Sequence, residues 1–284
     1  IPCVVTMHEM PEMADLKRLQ APGGPLRRLG ARWVTRAMLQ ADVVCLTLRR
    51  YCDWLIAHHT GARCLHIPIG LYRPAQPLAE PVEPRLLFFS TLAPYKGLET
   101  LLQAYRMLQP RFPGLSLTIA GAEHNRFPGY LAQLQQAHRD LPNVHWLGYV
   151  AEHEVSALFG ASQVVVLPYA AATGSSSVLY QAMMCGRSVV ASDLPELCAA
   201  VDESGLRAEF FRHEDATDLA RALSHSLNSS QWRRMNTEHN LAALSRLRLD
   251  ETSRAYLRAF QLAYRLRHFH SPVAQSVGIT TETI

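Results

Sequence analysis

Charge, paired cysteines and long apolar runs are all scarce in this 284-residue sequence. Charged residues make up 18% of it and hydrophobic residues 48%, proportions that exclude a disordered chain and are typical of a globular protein. The formal net charge of +4 is too small to indicate a nucleic-acid-binding protein. No apolar run approaches the roughly 18 residues of a membrane span. The length and composition therefore predict a soluble or peripherally bound protein with about two domains.

Cysteine and histidine are present without the spacing of disulfide or metal sites. The 6 cysteines include no Cys-x-x-Cys pair, and Cys45 lies in an apolar run, which is typical of reduced thiols in a cytoplasmic protein. Among the 13 histidines, His8 is followed by Glu9 but lacks the second histidine of the helical zinc motif. We therefore expect no metal site.

The sequence also lacks an initiator methionine and a leading polar segment. It begins at Ile1 and enters at once a strand-like run, IPCVVT at 1–6. This start predicts that the run is an interior strand of a domain whose earlier strands precede Ile1.

Short apolar runs alternate with longer amphipathic stretches along the chain. The run 164–167, VVVL, is apolar throughout, as in strands buried on both faces of a parallel sheet. Alternation of strands with helices predicts crossover units and an α/β fold. Candidate strands are 2–7, 42–48, 64–69, 86–91, 115–120, 144–147, 163–167 and 188–192, and candidate helices are 98–108, 129–139, 152–160, 177–185, 215–227 and 251–266.

A proline-rich stretch divides the chain into two unequal parts. Five candidate strands follow it, enough for a complete doubly wound domain, whereas only three precede it. The predicted organisation is the closing part of a Rossmann-like domain at 1–70, a linker at 71–85, a complete Rossmann-like domain at 86–250, a C-terminal helix packing back toward the first domain at 251–270, and a flexible tail at 271–284.

Residues 17–36 carry basic charge that no acidic residue balances. Arg28, Arg32 and Arg36 share one face of a helix, beside an apolar strip that contains Leu29 and Trp33. One interpretation is a helix lying on an anionic membrane surface, which would place the protein at the inner face of the membrane. The other is an ordinary solvated helix face in a cytoplasmic protein.

Three strand ends carry candidate binding residues, because ligands of doubly wound sheets bind beyond the carboxyl ends of the strands. Lys96 stands just before a helix start, where exposed amides favour an anion; it holds a phosphate group or is a solvated loop lysine. Small residues at 170–177 let the backbone approach a ligand, and their serines cap the next helix or bind an anion. His8 ends the first strand and either faces a cleft between domains or is structural.

Seven segments, taken in order, are similar to the motifs of one enzyme family. The ordered set, which extends to about residue 265, resembles the family 4 retaining glycosyltransferases of GT-B fold, enzymes that use nucleotide sugars. The segments are VVTMH at 4–8, ADVVCLT at 41–47, HIPIG at 66–70, YKG at 95–97, LTIAG at 117–121, NVHWLGYV at 143–150, and the block from LP at 167–168 to AMMCGRSVVAS at 182–192.

The resemblance implies a doubly wound, parallel-sheet donor domain at 86–250 and a partial Rossmann-like acceptor domain at 1–70 that lacks its front. It also implies a role for each matched residue. His8 is the catalytic residue that faces the transferred sugar; Lys96, Gly97, Gly174, Ser175 and Ser176 bind the donor diphosphate; Thr173 meets the donor sugar; Gln181 meets the ribose; and Tyr149 and Val150 lie near the base.

Three positions depart from the family pattern. The family has an arginine where this chain has Thr91, and two glutamates where it has Thr173 and Gln181. A charged hydrogen bond is worth roughly 1.5–3 kcal/mol, against about 1 kcal/mol for a neutral one. We therefore expect weaker use of the donor than the family pattern gives.

The expected activity is that of a hexosyltransferase in glycan biosynthesis, which moves a sugar from a nucleotide-diphosphate sugar to an acceptor with retention of anomeric configuration. By the same resemblance, no metal and no cofactor other than the donor substrate take part, and the two domains close around the donor. Two alternatives stay open: a non-catalytic nucleotide-sugar-binding pseudoenzyme or truncated remnant, and another GT-B enzyme such as an epimerase or a phosphorylase. The acceptor is a glycan, a lipid or a small molecule.

Overall fold

The computed structural model describes residues 1–20 and 24–268, which form two β-sheets surrounded by helices. The α/β class predicted from the alternation of strands and helices is confirmed. The strands are β1 Val4–Met7, β2 Val43–Leu46, β3 Cys64–His66, β4 Arg85–Phe89, β5 Ser116–Ala120, β6 Val144–Gly148, β7 Val164–Leu167, β8 Ser188–Ser192 and β9 Glu209–Phe211. The helices are α1 Gly24–Met38, α2 Arg49–His58, α3 Leu98–Leu108, α4 Tyr130–Ala137, α5 Glu152–Gly160, α6 Ser177–Met184, α7 Pro195–Glu203, α8 Ala216–Asn228, α9 Ser230–Leu244 and α10 Leu249–His268.

Both sheets are parallel throughout. The first has the strand order β1-β2-β3 and, with α1, α2 and α10, is called the first lobe here. The second has the order β6-β5-β4-β7-β8-β9 and, with α3 to α9, is called the second lobe. From β4 the chain builds outward through β5 to β6 and then returns to β7, on the other side of β4. The strand order therefore reverses between β4 and β7, the place where doubly wound sheets bind ligands.

Burial in the second lobe follows the apolar pattern of the sequence. All four residues of β7 are buried, as expected for a strand with helices on both faces of its sheet. Helix α3 buries Leu98, Leu101, Leu102 and Tyr105, the spacing of one helical face. These apolar periods explain why the sequence predicted both elements nearly to the residue.

Four elements have no counterpart among the predicted ones. The second sheet contains six strands, and the prediction of five is wrong because β9 has only three residues, too few for a readable pattern. Helices α2, α7 and α9 also lie outside the predicted set. Helix α2 follows Leu48, whose side chain cannot cap a helix, so the usual signal for a helix start is missing. Strand β3 ends at His66, before the predicted limit at 69.

The proline-rich stretch is attached to the second lobe along much of its length. The amide of Gln76 donates to the carbonyl of Met184 over 3.0 Å, and the amide of Leu78 donates to that of Cys185 over 3.1 Å. The guanidinium of Arg187, which is fully buried, donates to the carbonyls of Leu78 and Ala79. This stretch is therefore anchored, although its composition predicts a linker.

The chain passes between the lobes at two adjacent points. Leu71 forms an isolated parallel β-bridge with Arg248, and the Leu71 amide donates to the carbonyl of Leu247 over 2.8 Å. The second crossing leads into α10, which returns to the first lobe. There Ala259 and Ala263 are buried against Val43 and other residues of the first sheet. The predicted tail at 271–284 lies outside the described residues.

Candidate functional site

The loops that follow β4 and β7 meet where the strand order reverses. Gly97 has φ 71°, in the left-handed region, and a Cβ at this position would collide with the carbonyl oxygen of Pro168. The amide of Ala170 donates to the carbonyl of Tyr95 over 3.0 Å. Only glycine satisfies both the backbone angle and the close approach at position 97. These contacts fix the turn that carries Lys96 against the end of β7.

Lys96 lies on the aromatic face of a tyrosine in this turn. Its Nζ is 3.9 Å from the ring centre of Tyr169, which is buried, and 5.7 Å from that of Tyr95. None of the ion pairs between described residues includes Lys96. A cation–π contact holds the ammonium in place without neutralising it. The charge is therefore available to a phosphate group.

The start of α6 lies beside the same tyrosine. The hydroxyl of Tyr169 is 3.4 Å from Oγ of Ser176, the N-cap residue of α6. Ser176 makes no side-chain capping bond, so a plain capping role, the alternative for these serines, is not found for Ser176. Tyr169 thus connects Lys96 to a helix N-terminus, and the two sources of positive potential flank one ring.

The first lobe reaches this site through two elements. A Cβ on Gly174 would collide with the carbonyl oxygen of His8, so the loop after β7 packs directly on the end of β1. The side chain of His8 is exposed. From α2, the hydroxyl of the buried Tyr51 donates to the carbonyl of Thr173 over 2.8 Å. The structure therefore brings His8, Lys96 and the 173–176 segment to the same region.

The remaining predicted residues lie on other elements that follow the carboxyl ends of the second sheet. Gln181 is exposed on α6, and Thr91 is exposed in the loop after β4. Tyr149 is 79% exposed and Val150 is half-buried; both follow β6, an edge strand separated from β4 by β5. Tyr149 and Val150 therefore follow a carboxyl end of the same sheet as Lys96, two strands away from the strand that precedes Lys96.

A second pair of strand ends is also held by a glycine. Gly121 has φ 137°, and a Cβ there would collide with the carbonyl oxygen of Ser90. Its amide donates to the carbonyl of Gly148 over 2.6 Å. The ends of β4, β5 and β6 are thereby tied together, which fixes the position of the loop that begins at Tyr149.

Acidic groups near the cleft serve the contact between the lobes. Glu203, at the end of α7, accepts hydrogen bonds from the amides of Arg49 and Arg50 and lies 3.2 Å from Nε2 of His66. Burial raises the pKa of Glu203, but the close contact with His66 and the hydrogen bonds from the two amides outweigh it, so the pKa lies below its ordinary value. Within residues 1–20 and 24–268, no cluster of three His, Cys, Asp or Glu side chains is arranged to hold a metal ion.

Sequence reasoning did not identify Tyr169, Tyr51 or Glu203 as parts of this region. Tyr169 stands two residues after a predicted strand, and its position beside Lys96 could have been inferred had the order of β4 and β7 been known. Tyr51 and Glu203 act on partners more than a hundred residues away, and no local pattern reveals such contacts.

Solved structures define the class of fold. Two α/β lobes that meet at the carboxyl ends of parallel strands form the GT-B fold of glycosyltransferases. Sucrose-phosphate synthase from Thermosynechococcus elongatus is similar over 92% of this chain and 67% of its own, with a TM-score of 0.74 and 18% identity. HepE of Anabaena in complex with UDP and glucose is similar over 92% of this chain and 71% of its own, with a TM-score of 0.71 and 17% identity.

Sequence comparisons identify the family. The model of the family described as glycosyl transferases group 1 matches residues 83–229, just over half of the chain, and the chain belongs to this family. The O-antigen chain mannosyltransferase B of Escherichia coli is 27% identical over 62% of this chain and 45% of its own length. The phosphatidyl-myo-inositol mannosyltransferase of Propionibacterium freudenreichii is 26% identical over 76% of this chain and 55% of its own length. The chain thus spans about half the length of the curated relatives it matches.

Proposed function

We propose that this chain acts as a retaining hexosyltransferase that uses a nucleotide-diphosphate sugar. The observation that carries the proposal is Lys96, held on the ring of Tyr169 beside the uncapped start of α6, where the strand order reverses. A cation and free amides at this point suit a diphosphate. Membership of the glycosyl transferases group 1 family supports the same reaction.

The residues of the site would act on the leaving group. In the reaction, the bond between the anomeric carbon and the diphosphate oxygen breaks, the acceptor hydroxyl oxygen bonds to that carbon, and the acceptor proton ends on the released diphosphate. Lys96 and the amides of Gly174, Ser175 and Ser176 stabilise the negative charge that develops there. His8 faces the transferred sugar from the first lobe, and Thr173 and Gln181 offer neutral hydrogen bonds to sugar and ribose.

We propose mannose as the first sugar to test, because the two curated relatives described above are named mannosyltransferases. One of them is named for phosphatidyl-myo-inositol, so a lipid acceptor is tested beside glycans.

Binding and turnover of defined donors test the proposal. GDP, UDP and ADP, and then GDP-mannose and UDP-glucose, are titrated against the purified chain, its Lys96→Ala variant and a Lys17→Ala control. We expect Lys96→Ala to weaken nucleotide binding about tenfold or more, the loss of a charged hydrogen bond, while Lys17→Ala changes nothing. NMR of the product reads the anomeric configuration, and an inverted product contradicts retention. Absence of all nucleotide binding contradicts the donor site.

A second function is favoured by the three substituted positions. Thr91, Thr173 and Gln181 remove one positive and two negative groups from the family pattern. Binding that depends on Lys96 without transfer or donor hydrolysis would identify a nucleotide-sugar-binding pseudoenzyme instead of an enzyme.

We also propose that α1 lies on an anionic membrane surface. Leu26, Leu29 and Trp33 project on the side of α1 opposite its buried residues Ala31 and Thr35, and Leu26 and Trp33 are 75% and 71% exposed. Arg32 and Arg36 lie along one side of this strip, with Arg32 also 3.8 Å from the carboxylate of Glu12, and exposed arginines beside apolar side chains suit contact with acidic headgroups. No helix within residues 1–20 and 24–268 is long and apolar enough to cross a membrane.

Vesicle flotation tests this surface. We expect binding to vesicles that contain phosphatidylglycerol and little binding to phosphatidylcholine alone, with Trp33→Ser reducing binding about tenfold. Leu257→Ser, which alters an exposed apolar residue of α10, is the matched control. Equal loss in both variants, or binding that ignores lipid charge, contradicts the proposal.

A further inference from the structure

The first turn of α2 is one place near the candidate site where the first lobe is hydrogen-bonded to the second. Leu48 precedes the helix and its side chain has no atom that could cap it. Glu203 of the second lobe caps the helix instead. Its carboxylate accepts from the amide of Arg49 over 2.8 Å and from that of Arg50 over 3.4 Å. The Arg50 side chain also pairs with Glu196, which is buried. Two carboxylates of α7 therefore hold the start of α2 in place.

Tyr51, the next residue, extends this contact into the loop after β7. It is 1% exposed, and its hydroxyl donates to the carbonyl of Thr173. Gly174 then packs on the carbonyl oxygen of His8. Burial raises the pKa of Tyr51, with a smaller contribution from Glu196, so the hydroxyl keeps its proton and stays a donor. The segment 173–174 is thus held by first-lobe residues on both sides.

The phosphate end of the same site is held differently. Lys96 and Tyr169 are fixed by contacts within the second lobe, namely Gly97 against Pro168 and the amide of Ala170 on Tyr95. Thr173 is therefore supported from the first lobe, and Lys96 and Ser176 from within the second.

We infer that Tyr51 is a positioning residue for the sugar end of the donor site. Its hydroxyl holds the carbonyl of Thr173, the residue assigned to the donor sugar, whereas Ser176 at the diphosphate end lies beside Tyr169 of the second lobe. The inference rests on the proposed nucleotide-sugar site and deepens it, because it assigns the two ends of that site to different supports. Tyr51 is buried behind the loop and itself touches neither sugar nor phosphate.

The Tyr51→Phe variant tests the inference, because it removes the hydroxyl and keeps the buried ring. Affinity for GDP and UDP is compared with affinity for GDP-mannose and UDP-glucose in the whole chain. Losing one neutral hydrogen bond predicts about fivefold weaker binding of the nucleotide sugar that the chain accepts. The loss for its free nucleotide is expected to be clearly smaller, because the diphosphate residues Lys96 and Ser176 keep their own contacts. Amide exchange at Thr173 and Gly174 is expected to rise in parallel.

Tyr105→Phe is the matched control. Tyr105, on α3, is also fully buried, and its hydroxyl donates to the carbonyl of Leu115 over 2.9 Å. Both residues belong to the second lobe. We expect it to lower thermal stability without separating nucleotide from nucleotide-sugar affinity. If Tyr51→Phe does not fold, Glu203→Gln loosens the same turn of α2 and is expected to give the same split, smaller in size.

The outcomes separate the inference from the function on which it rests. Equal losses for nucleotide and nucleotide sugar, or no loss for either, overturn the role of Tyr51 while leaving the donor site intact. A wild-type chain that binds no nucleotide overturns the proposed function, and the inference with it.

Discussion

The two lobes bury their sheets in different ways. In the second lobe, β7 and β8 are buried along their whole length by helices close to them in the sequence. In the first lobe, β1 is only half-buried over most of its length, and one face of its sheet is covered by α10 from the far end of the described chain. One face of the first sheet is therefore completed by a distant helix, whereas the strands of the second lobe are covered by helices near them in the sequence, in a core that continues into Leu46 and Leu55 of the first lobe.

The substitution with the largest expected effect destabilises the first lobe and leaves the second folded. Ala259→Asp places a carboxylate in the small core of the first lobe, where Ala259 is 0% exposed against Val43 and Cys45. We expect a loss of about 4 kcal/mol in the stability of that core. Hydrogen exchange should show β2 losing protection while β7 keeps it.

Leu257→Asp is the control for this prediction, because Leu257 lies on the same helix and is 60% exposed. It should leave both strands protected. Loss of protection in β2 and β7 together would show that the two lobes unfold as one unit, which would contradict the expected confinement of the effect to the first lobe.

The next effect lies wholly inside the second lobe. Gly97→Ala meets both a left-handed backbone angle and the carbonyl of Pro168, and we expect a loss of about 3 kcal/mol. Gly114→Ala has a similar angle, φ 81°, but open space around it, and should cost about 1 kcal/mol. Thermal unfolding measures the difference between the two variants. Equal losses would show that the contact with the carbonyl of Pro168 adds nothing to the cost of a side chain at position 97.

A smaller effect concerns the contact between the lobes. Glu203→Gln removes the charge that caps α2 and faces His66, and we expect a loss of about 1–2 kcal/mol from the protection of α2. Asp140→Asn, within the second lobe, should change stability less. Although Arg106 lowers the pKa of Asp140 to about 2, both side chains are half exposed and solvent screens the pair. A larger effect for Asp140→Asn would contradict this ranking.

The smallest effect is a pH dependence of the same contact. Because the pKa of Glu203 in the folded chain lies below its ordinary value of 4.5, its contribution is complete above that pH and is lost as the pH falls through the folded pKa. The difference in unfolding temperature between the wild-type chain and Glu203→Gln should therefore shrink in acid. A constant difference down to strongly acidic pH would show that Glu203 acts without its charge.

The parts of the fold that were predictable are those with local patterns. The apolar run of β7 and the 3.6-residue period of α3 are complete within their own segments, and both were placed closely. Helix α2 was not predictable because its cap, Glu203, stands 154 residues from Arg49. The strand β9 is too short to carry a period.

The candidate site divides in the same way. Lys96 and Ser176 could be placed at strand ends from the sequence, since each follows a recognisable strand and precedes a helix. That Tyr169 lies between them depends on β4 and β7 being neighbours, which the sequence does not state. The bond from Tyr51 to Thr173 spans 122 residues and appears only once the lobes are together.

The anchored proline-rich stretch determines how the lobes can move. Gln76 and Leu78 are bonded to the second lobe, and Leu71 is paired with Leu247 and Arg248 at the other crossing. The free backbone between the lobes is thereby reduced to a few residues after Leu71, next to the second crossing. Any change in the angle between the lobes is consequently a rotation about one short axis through these two crossings. Displacement then grows with distance from that axis.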